Sequence, residues 1–340
     1  NFANDGSTYY KSSFVRIEDF SDSSIDLLVE CFTKVSEWSK FIEVKENLAI
    51  KIKEIVEKEN AGFAFPSQSL YVETFPNNVS ELPPVNDCGD PADRAEERLL
   101  GIVPRDRRKS FEMRQVIELI LDKNSFFEMG RKFGPGQIVG FARMNGQSVG
   151  IFGNDCRYYA GSMTAAGAQK VRKFVETCET FHIPIIALVD EPGFMIGREA
   201  EKAGTIKFGT AAVLAVADSS VPWASVVIKK SYGVAAAAHY GNNAYKLLWP
   251  SAEMGALPLE GGVAVAFGRE IAAAKDPDAK RNELENMMAA RLSPFPRAES
   301  FSAHDVIDPR ETRPMLCEWL ARVRPLLPQL LGPTRFPMRP

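Results

Sequence analysis

The sequence lacks paired cysteines, long apolar runs and clustered histidines. Its five cysteines are scattered with no CxxC pair, which argues against a structural zinc cluster and favours a reducing compartment. Its three histidines are isolated, so we expect no metal site. No stretch reaches the roughly 18 apolar residues that a membrane span requires. The amino terminus has neither a basic start nor an apolar core, so we predict no secretory signal and a location in the cytoplasm or an organelle matrix, with the cytoplasm preferred.

A strong charge of either sign is also missing. With 41 basic and 44 acidic residues the formal net charge is -3, so we expect no binding of nucleic acid through phosphate contacts. Neither GxGxxG nor GxxxxGK[ST] spacing occurs, which makes dinucleotide and P-loop sites weak hypotheses. The 45% hydrophobic and 25% charged composition is that of a folded protein, and 340 residues favour one large domain plus a smaller one.

The chain divides at residues 74–93, a run rich in Pro, Asn, Gly and Asp with few large apolar groups. We therefore predict a small α+β unit over residues 1–74, a linker over 75–93 and a large domain over 94–330.

The small unit carries alternating apolar residues in Ser12–Phe20 and Ser24–Phe32, which predicts a strand hairpin. Apolar spacing in Lys40–Glu59 predicts a helix, and Ser69–Glu73 a last short strand.

The large domain alternates buried strands with helices, the pattern of a mostly parallel α/β core. Val139–Met144 and Ser148–Gly153 flank an Asn-Gly hairpin signal, while Pro184–Asp190 and Trp223–Lys229 are continuous apolar runs. Helices are predicted for Phe111–Ile120, Ala165–Phe181, Gly209–Ala217, Ala235–Tyr245, Arg281–Arg291 and Thr312–Val323.

Four glycine-centred turns follow predicted strands. They are Tyr159–Ser162, Asp190–Phe194, Ser231–Ala235 and Glu260–Gly262. Glycine lets a backbone N–H approach a ligand closely, and two such groups form an oxyanion hole. A single glycine after a strand is more often a turn requirement, but several together favour a site.

Conventional catalysts are scarce. His182 precedes a buried strand and is expected to pack in the core, and His304 lies in a predicted surface turn. His239 is the only histidine near a glycine turn, where a polar contact is favoured over acid–base chemistry. Asp190 and Glu191 form a possible carboxylate pair, although Asp190 as a cap of the following turn is the stronger interpretation. An enzyme built this way works through backbone donors and positioning.

Residues 82–325 resemble a known family. The matching stretches are Pro83–Arg94, Ile138–Ile151, Ala160–Gly161 with the Lys170–Phe174 helix, Ile185–Gly193, Lys230–Gly233, Trp249–Glu253 and Asp305–Arg313. In order and spacing they resemble the C-terminal half of the carboxyltransferase subunit of biotin-dependent acyl-CoA carboxylases. The resemblance implies an α/β, crotonase-like (ClpP/crotonase) spiral ββα fold.

The resemblance also implies a reaction, in which CO2 passes from carboxybiotin on a carrier protein to the α-carbon, or a vinylogous carbon, of an acyl-CoA. It implies backbone oxyanion donors at Gly233, Val234 and Ala235. The substrate-binding positions it implies are Ala160, Gly161, Pro192, Gly193, Phe194, Ala236, Ala237 and His239. No metal ligand is implied.

Two positions depart from the family. Family members usually have Gly-Gly-Ala where this chain has Gly233-Val234-Ala235, and a β-branched Val disfavours positive φ. Propionyl-type members carry an Asp at the position of Ala237, so the alanines here indicate a roomier apolar pocket. The length of the acyl group is therefore open.

Residues 12–73, especially FAFPSQSLYVE, resemble instead the C-terminal cytoplasmic segment of small-conductance mechanosensitive channels, a ferredoxin-like unit that assembles rather than conducts. They do not match the CoA-binding half that the family normally carries. The expected partners are a biotin carboxylase or biotin carrier subunit, a CoA-binding carboxyltransferase half and further copies of this chain. Two alternatives stay open, a biotin-dependent decarboxylase component and a non-catalytic assembly module.

Overall fold

The computed structural model describes residues 14–21, 24–30, 38–59, 78–79, 81–106 and 109–333. Contacts divide the chain into two units, residues 1–73 with Pro340, and residues 74–339. Among the described helices, none combines the length and apolar character that crossing a bilayer requires.

The first unit contains a hairpin and one long helix. Strands β1 (Phe14–Ser21) and β2 (Ser24–Glu30) pair antiparallel, and α1 spans Trp38–Lys58. The predicted hairpin and helix are therefore confirmed. The predicted strand Ser69–Glu73 lies outside the described residues, as does the FAFPSQSLYVE stretch that contains it.

The second unit is built on an eight-stranded sheet in the order β11-β9-β8-β7-β6-β5-β4, with β10 paired to the end of β8. Strands β4, β5 and β6 are antiparallel, and β6 to β9, β10 and β11 join in parallel. The strands are β3 Asn78–Val79, β4 Phe127–Met129, β5 Gln137–Met144, β6 Gln147–Asn154, β7 Ile185–Glu191, β8 Trp223–Tyr232, β9 Tyr245–Leu248, β10 Glu253–Gly255, β11 Asp305–Val306 and β12 Gly332–Pro333, of which β3 and β12 pair separately.

Helices connect these strands. They are α2 Leu99–Ile102, α3 Met113–Ile120, α4 Ala165–Thr180, α5 Arg198–Lys202, α6 Thr205–Asp218, α7 Leu259–Ala273, α8 Pro277–Leu292, α9 Phe295–Glu299 and α10 Thr312–Val323. Short 3-10 helices cover Tyr159–Gly161, Val234–His239, Pro309–Glu311 and Arg324–Leu330.

Two apolar cores lie on opposite faces of the sheet. In β7, Ile186 and Leu188 pack into the core that includes α3 and α10, whereas Ala187 and Val189 pack into the core that includes α4 and α6. Every residue of β7 is buried, because both faces of the strand are covered. This is the physical reason for its unbroken apolar sequence, and the predicted parallel α/β core is confirmed.

The alanine-rich segment does not form the predicted helix Ala235–Tyr245. A 3-10 helix ends at His239, and the His239 carbonyl accepts hydrogen bonds from Trp223 Nε1 at 2.9 Å and Ser225 Oγ at 2.7 Å. Because side chains of β8 hold this carbonyl, the chain leaves the helix and begins β9 at Tyr245. Tertiary contacts here override the helix propensity of alanine.

The predicted turn Glu260–Gly262 is also wrong, because this stretch lies inside α7. The Gly262 amide donates to Pro258 O at 2.7 Å, as in a helix. Leu259 and Val263 pack around Tyr232 together with residues of α8, so burial of this face explains why a glycine pair is tolerated in the helix.

A buried arginine joins the start and end of the second unit. Arg313 is 1% exposed and donates to Asp122 Oδ1 at 2.8 Å, Pro91 O at 2.9 Å and Ile120 O at 3.0 Å. Burial alone raises the pKa of Asp122, but hydrogen bonds from the Gly146 amide and Arg313 outweigh it and hold that pKa below its usual value.

We expect Arg313→Met to lower the free energy of unfolding by about 3–5 kcal/mol, because it leaves a buried carboxylate without its cation. The matched change Arg172→Met, in a surface pair with Glu176, should cost only about 0.3–0.5 kcal/mol. Urea denaturation measures both.

The difference between Arg313→Met and the native chain should depend on pH. Because the pKa of Asp122 is depressed in the folded state, the stabilisation is present above the unfolded pKa and is lost as pH falls through the folded one. Equal losses for the two arginines at neutral pH, or a gap that widens in acid, would contradict this account.

Candidate functional site

Three of the four predicted glycine turns meet at one edge of the sheet. Strands β6, β7 and β8 run parallel, so their carboxyl ends lie side by side. The turn after β6 holds Ala160 and Gly161, that after β7 holds Pro192 to Phe194, and that after β8 holds Gly233 to Ala235. Contacts tie them together, since the Met163 amide donates to Gly193 O at 3.1 Å.

The turn after β8 places its special backbone conformation on glycine. Gly233 has φ 62° and ψ −161°, while Val234 keeps a negative φ, so its β-branch causes no strain. The Gly233 amide donates to Gly255 O at 3.1 Å and is therefore occupied. Ala235 is wholly buried.

The Val234 amide is different. Val234 is 71% exposed and is the first residue of the 3-10 helix, where an N–H has no acceptor inside the helix. Within the described residues no acceptor outside the helix bonds it either. It is therefore a backbone donor without a bonded acceptor, at an exposed residue of this turn.

The turn after β6 is fixed by steric fit at Gly161 and by two side-chain hydrogen bonds. Gly161 has φ 91°, and a Cβ there would lie 2.8 Å from Asp190 O, so only glycine fits. The Gly161 carbonyl accepts from Gln137 Nε2 at 3.2 Å and Asn154 Nδ2 at 3.3 Å.

The two carboxylates at the end of β7 have different roles. Asp190 Oδ1 accepts the Lys230 amide at 3.1 Å and lies 3.6 Å from Lys230 Nζ. Burial raises the pKa of Asp190, and the Lys230 charge opposes that rise. The prediction that Asp190 caps the turn is wrong: Glu191 Oε1 accepts the Gly193 amide at 2.9 Å and does so instead.

Lys230 is the site cation that sequence reasoning missed. Its ammonium is 21% exposed and lies 3.5 Å from Ala160 O, beside the turn after β6. Its signal in the sequence was its position, four residues before Val234 at the end of a buried strand.

His239 is buried against the sheet rather than exposed at the site. Its ring stacks on Phe152 with centroids 4.1 Å apart, and Nε2 lies 3.3 Å from Glu191 Oε2. The polar partner of His239 in the structure is thus Glu191, and its predicted contact with substrate stays a prediction. His182 packs in the core as predicted, and burial lowers its pKa. Among the described residues, no three His, Cys, Asp or Glu side chains gather as metal ligands.

A cavity of about 520 Å³ in the described structure does not coincide with these turns. It borders the other side of β8 and is lined by residues such as Leu99, Lys229, Trp249, Glu253 and Leu292. None of the predicted site residues lines it. We refer below to the edge of the sheet where the three turns meet as the open edge.

A family model described as "Carboxyl transferase domain" matches residues 55–323. The chain belongs to this carboxyltransferase family. A second family model, "Mechanosensitive ion channel MscS, C-terminal", matches residues 6–63. Both resemblances inferred from the sequence are confirmed.

The relatives are carboxyltransferase subunits. The carboxyltransferase subunit of propionyl-CoA carboxylase from Haloferax mediterranei is 36% identical over 242 residues, which cover 70% of this chain and 46% of that protein. The methylmalonyl-CoA carboxyltransferase 12S subunit of Propionibacterium freudenreichii subsp. shermanii is 37% identical over 242 residues, covering 70% and 46%.

Solved structures share the fold. A transcarboxylase 12S crystal structure, described as a hexamer with methylmalonyl-coenzyme A bound, gives a TM-score of 0.66 at 32% identity and covers 76% of this chain and 48% of that one. The β subunit of P. aeruginosa geranyl-CoA carboxylase gives 0.60 at 25% identity, covering 76% and 49%. The predicted crotonase-like class is confirmed. The carboxyltransferase chain described here spans about half the length of these relatives.

Two glycine substitutions should have opposite effects. Gly161→Ala should lower the free energy of unfolding by about 1–3 kcal/mol, because it combines positive φ with a clash against Asp190 O. Gly261→Ala, in α7 where a Cβ meets no atom within 4 Å, should raise it by up to about 1 kcal/mol. Thermal unfolding compares them, and a destabilised Gly261→Ala would contradict the helix assignment.

Proposed function

We propose that this chain is the carboxyltransferase component of a biotin-dependent acyl-CoA carboxylase, transferring CO2 from carboxybiotin to the α-carbon or a vinylogous carbon of an acyl-CoA. The observation that carries the proposal is the amide of the exposed Val234, at the turn where three parallel strands end, in a chain of the carboxyltransferase family.

The contribution of the chain is electrostatic. The Val234 N–H, which follows the backbone turn at Gly233, donates to an oxygen that gains negative charge during transfer. The Lys230 ammonium, near the end of the same strand β8, adds positive potential at this edge. Carboxybiotin, when bound, supplies the activated carboxyl group. Glu191 and His239 are fully buried, so neither contacts a substrate and both act behind the turn.

The acyl group should lie near Ala237, an exposed residue of the 3-10 helix after β8. The neighbouring Ala236 is buried, and the Phe194 ring packs against Gly209 of α6. Alanine side chains offer a substrate no charged or hydrogen-bonding group, which favours an apolar acyl chain over a polar one.

The chain spans about half the length of its carboxyltransferase relatives. We propose that a CoA-binding carboxyltransferase half, in the same polypeptide or in another one, completes the open edge, and that a biotin carrier subunit delivers carboxybiotin. Homo-oligomers fit this arrangement. The cysteines described, Cys88, Cys156, Cys178 and Cys317, are free thiols, which favours the reducing cytoplasm as the compartment.

Val234→Pro is the sharpest test, because proline removes the N–H and is tolerated at the first position of a helix. With a CoA-binding half supplied, we expect carboxyl transfer to fall about 10²–10³-fold. Val234→Ala keeps the amide and should retain activity. Radiolabel transfer to acyl-CoAs of different chain length measures both rates.

Other outcomes separate the alternatives. Equal activity of Val234→Pro and Val234→Ala would remove the amide from the mechanism. Transfer only from a carboxylated acyl-CoA to biotin, coupled to a membrane subunit, would favour the decarboxylase. No transfer with any acyl-CoA and no binding of a biotin carrier would favour an assembly module, which the channel-like segment at residues 6–63 motivates.

A further inference from the structure

Three polar side chains form a wholly buried cluster beneath the turn that carries Val234. The Glu191 cluster consists of Asn154, Glu191 and His239, each 0% exposed. They come from the end of β6, the end of β7 and the end of the 3-10 helix that follows β8. The cluster therefore joins the three segments that form the open edge.

Glu191 is the centre of the cluster. Its Oε1 accepts the Gly193 amide at 2.9 Å, and its Oε2 accepts Asn154 Nδ2 at 3.0 Å and lies 3.3 Å from His239 Nε2. Asn154 extends the connection, since its Oδ1 accepts the Asp190 amide at 3.0 Å and its Nδ2 also lies 3.3 Å from Gly161 O. One carboxylate thus fixes the turn after β7 directly and the turn after β6 through one amide.

The contact with His239 determines where its proton sits. With Glu191 ionised, its oxygen only accepts, so the contact assigns the hydrogen to His239 Nε2 and leaves Nδ1 of the neutral ring unprotonated. Within the described residues Nδ1 has no hydrogen-bond partner, and the ring is clamped against Phe152. Glu191 therefore selects both the tautomer and the orientation of His239.

Both ends of the short helix are consequently fixed. At its end, the His239 ring is held by Glu191 and its carbonyl by Trp223 and Ser225. At its start, the Gly233 amide is held by Gly255 O. The Val234 amide lies between these anchors, and its direction depends on them.

We propose that Glu191 is a positioning residue, which sets the direction of the Val234 amide through His239 and the flanking turns through Gly193 and Asn154. This inference rests on the proposed function of that amide. Glu191 touches no substrate, so its effect on the rate is indirect.

The chain offers a matched control in Glu179. This carboxylate is also buried, 3% exposed, and accepts the Ser220 amide at 2.8 Å and the Val221 amide at 3.2 Å. It lies where α4 ends and the segment leading into β8 begins, at the opposite edge of the sheet. Replacing either glutamate by glutamine disturbs a buried hydrogen-bonded carboxylate, but only Glu191 is connected to Val234.

The test uses the full chain labelled with ¹⁵N at valine and histidine. In the native protein the imidazole ¹⁵N shifts should show His239 protonated at Nε2, and free biotin should move the Val234 amide resonance. In Glu191→Gln, the preference of His239 for the Nε2 tautomer and the response of Val234 to biotin should be lost. With a CoA-binding half supplied, kcat should fall about 10²-fold, the loss expected when a catalytic group is misplaced, and KM for the acyl-CoA should change little. Glu179→Gln should lower the melting temperature and leave the other readouts unchanged.

A second pair of variants covers the case in which Glu191→Gln does not fold. His239→Gln keeps a donor that reaches Glu191 and should retain most of the transfer activity, whereas His239→Leu should behave like Glu191→Gln. A native Val234 resonance and a native kcat in Glu191→Gln or in His239→Leu would overturn the positioning role. A native chain whose Val234 amide ignores biotin would instead overturn the proposed function, while the tautomer measurement would still test the cluster.

Discussion

The parallel pairing of β7 with β6 on one side and β8 on the other is the constraint on which the site depends. Since the three strands run in one direction, the turns that leave them emerge at a common edge. Gly161, Gly193 and Gly233 each have positive φ, which lets those turns bend sharply without strain. No single turn forms the candidate site. The parallel alignment of the strands brings the three turns together.

Packing at this edge places polar groups where water cannot reach them. Asp190, Glu191 and His239 are all fully buried, and burial raises the pKa of both carboxyl groups. Buried polar groups are stable only when neighbours supply their hydrogen bonds. The amides of Gly193 and Lys230 do so here, which makes the geometry of the turns and the burial of the acids parts of one arrangement.

The sequence predicted the structure best where burial of apolar side chains alone determined it. The runs that became β7 and β8 are apolar because both faces are covered, and that pattern is local. The alanines after Val234 led to a wrong helix prediction. Their helix propensity stabilises a helix less than the two hydrogen bonds from β8 side chains to the His239 carbonyl stabilise the observed structure. Asn154 carried no local pattern, and Lys230 was marked only by its position near the end of a buried strand. The partners of both residues are distant in the chain, and only the folded sheet brings them together.

The bond from the Gly233 amide to Gly255 O has a mechanical consequence. Gly255 ends β10, the strand just before the α7–α8 hairpin, and Tyr232 is embedded in the apolar contacts of that hairpin. The hairpin and the turn that carries Val234 are therefore linked by a segment only a few residues long. Through this bond, a displacement of the hairpin would be transmitted to the backbone next to Val234.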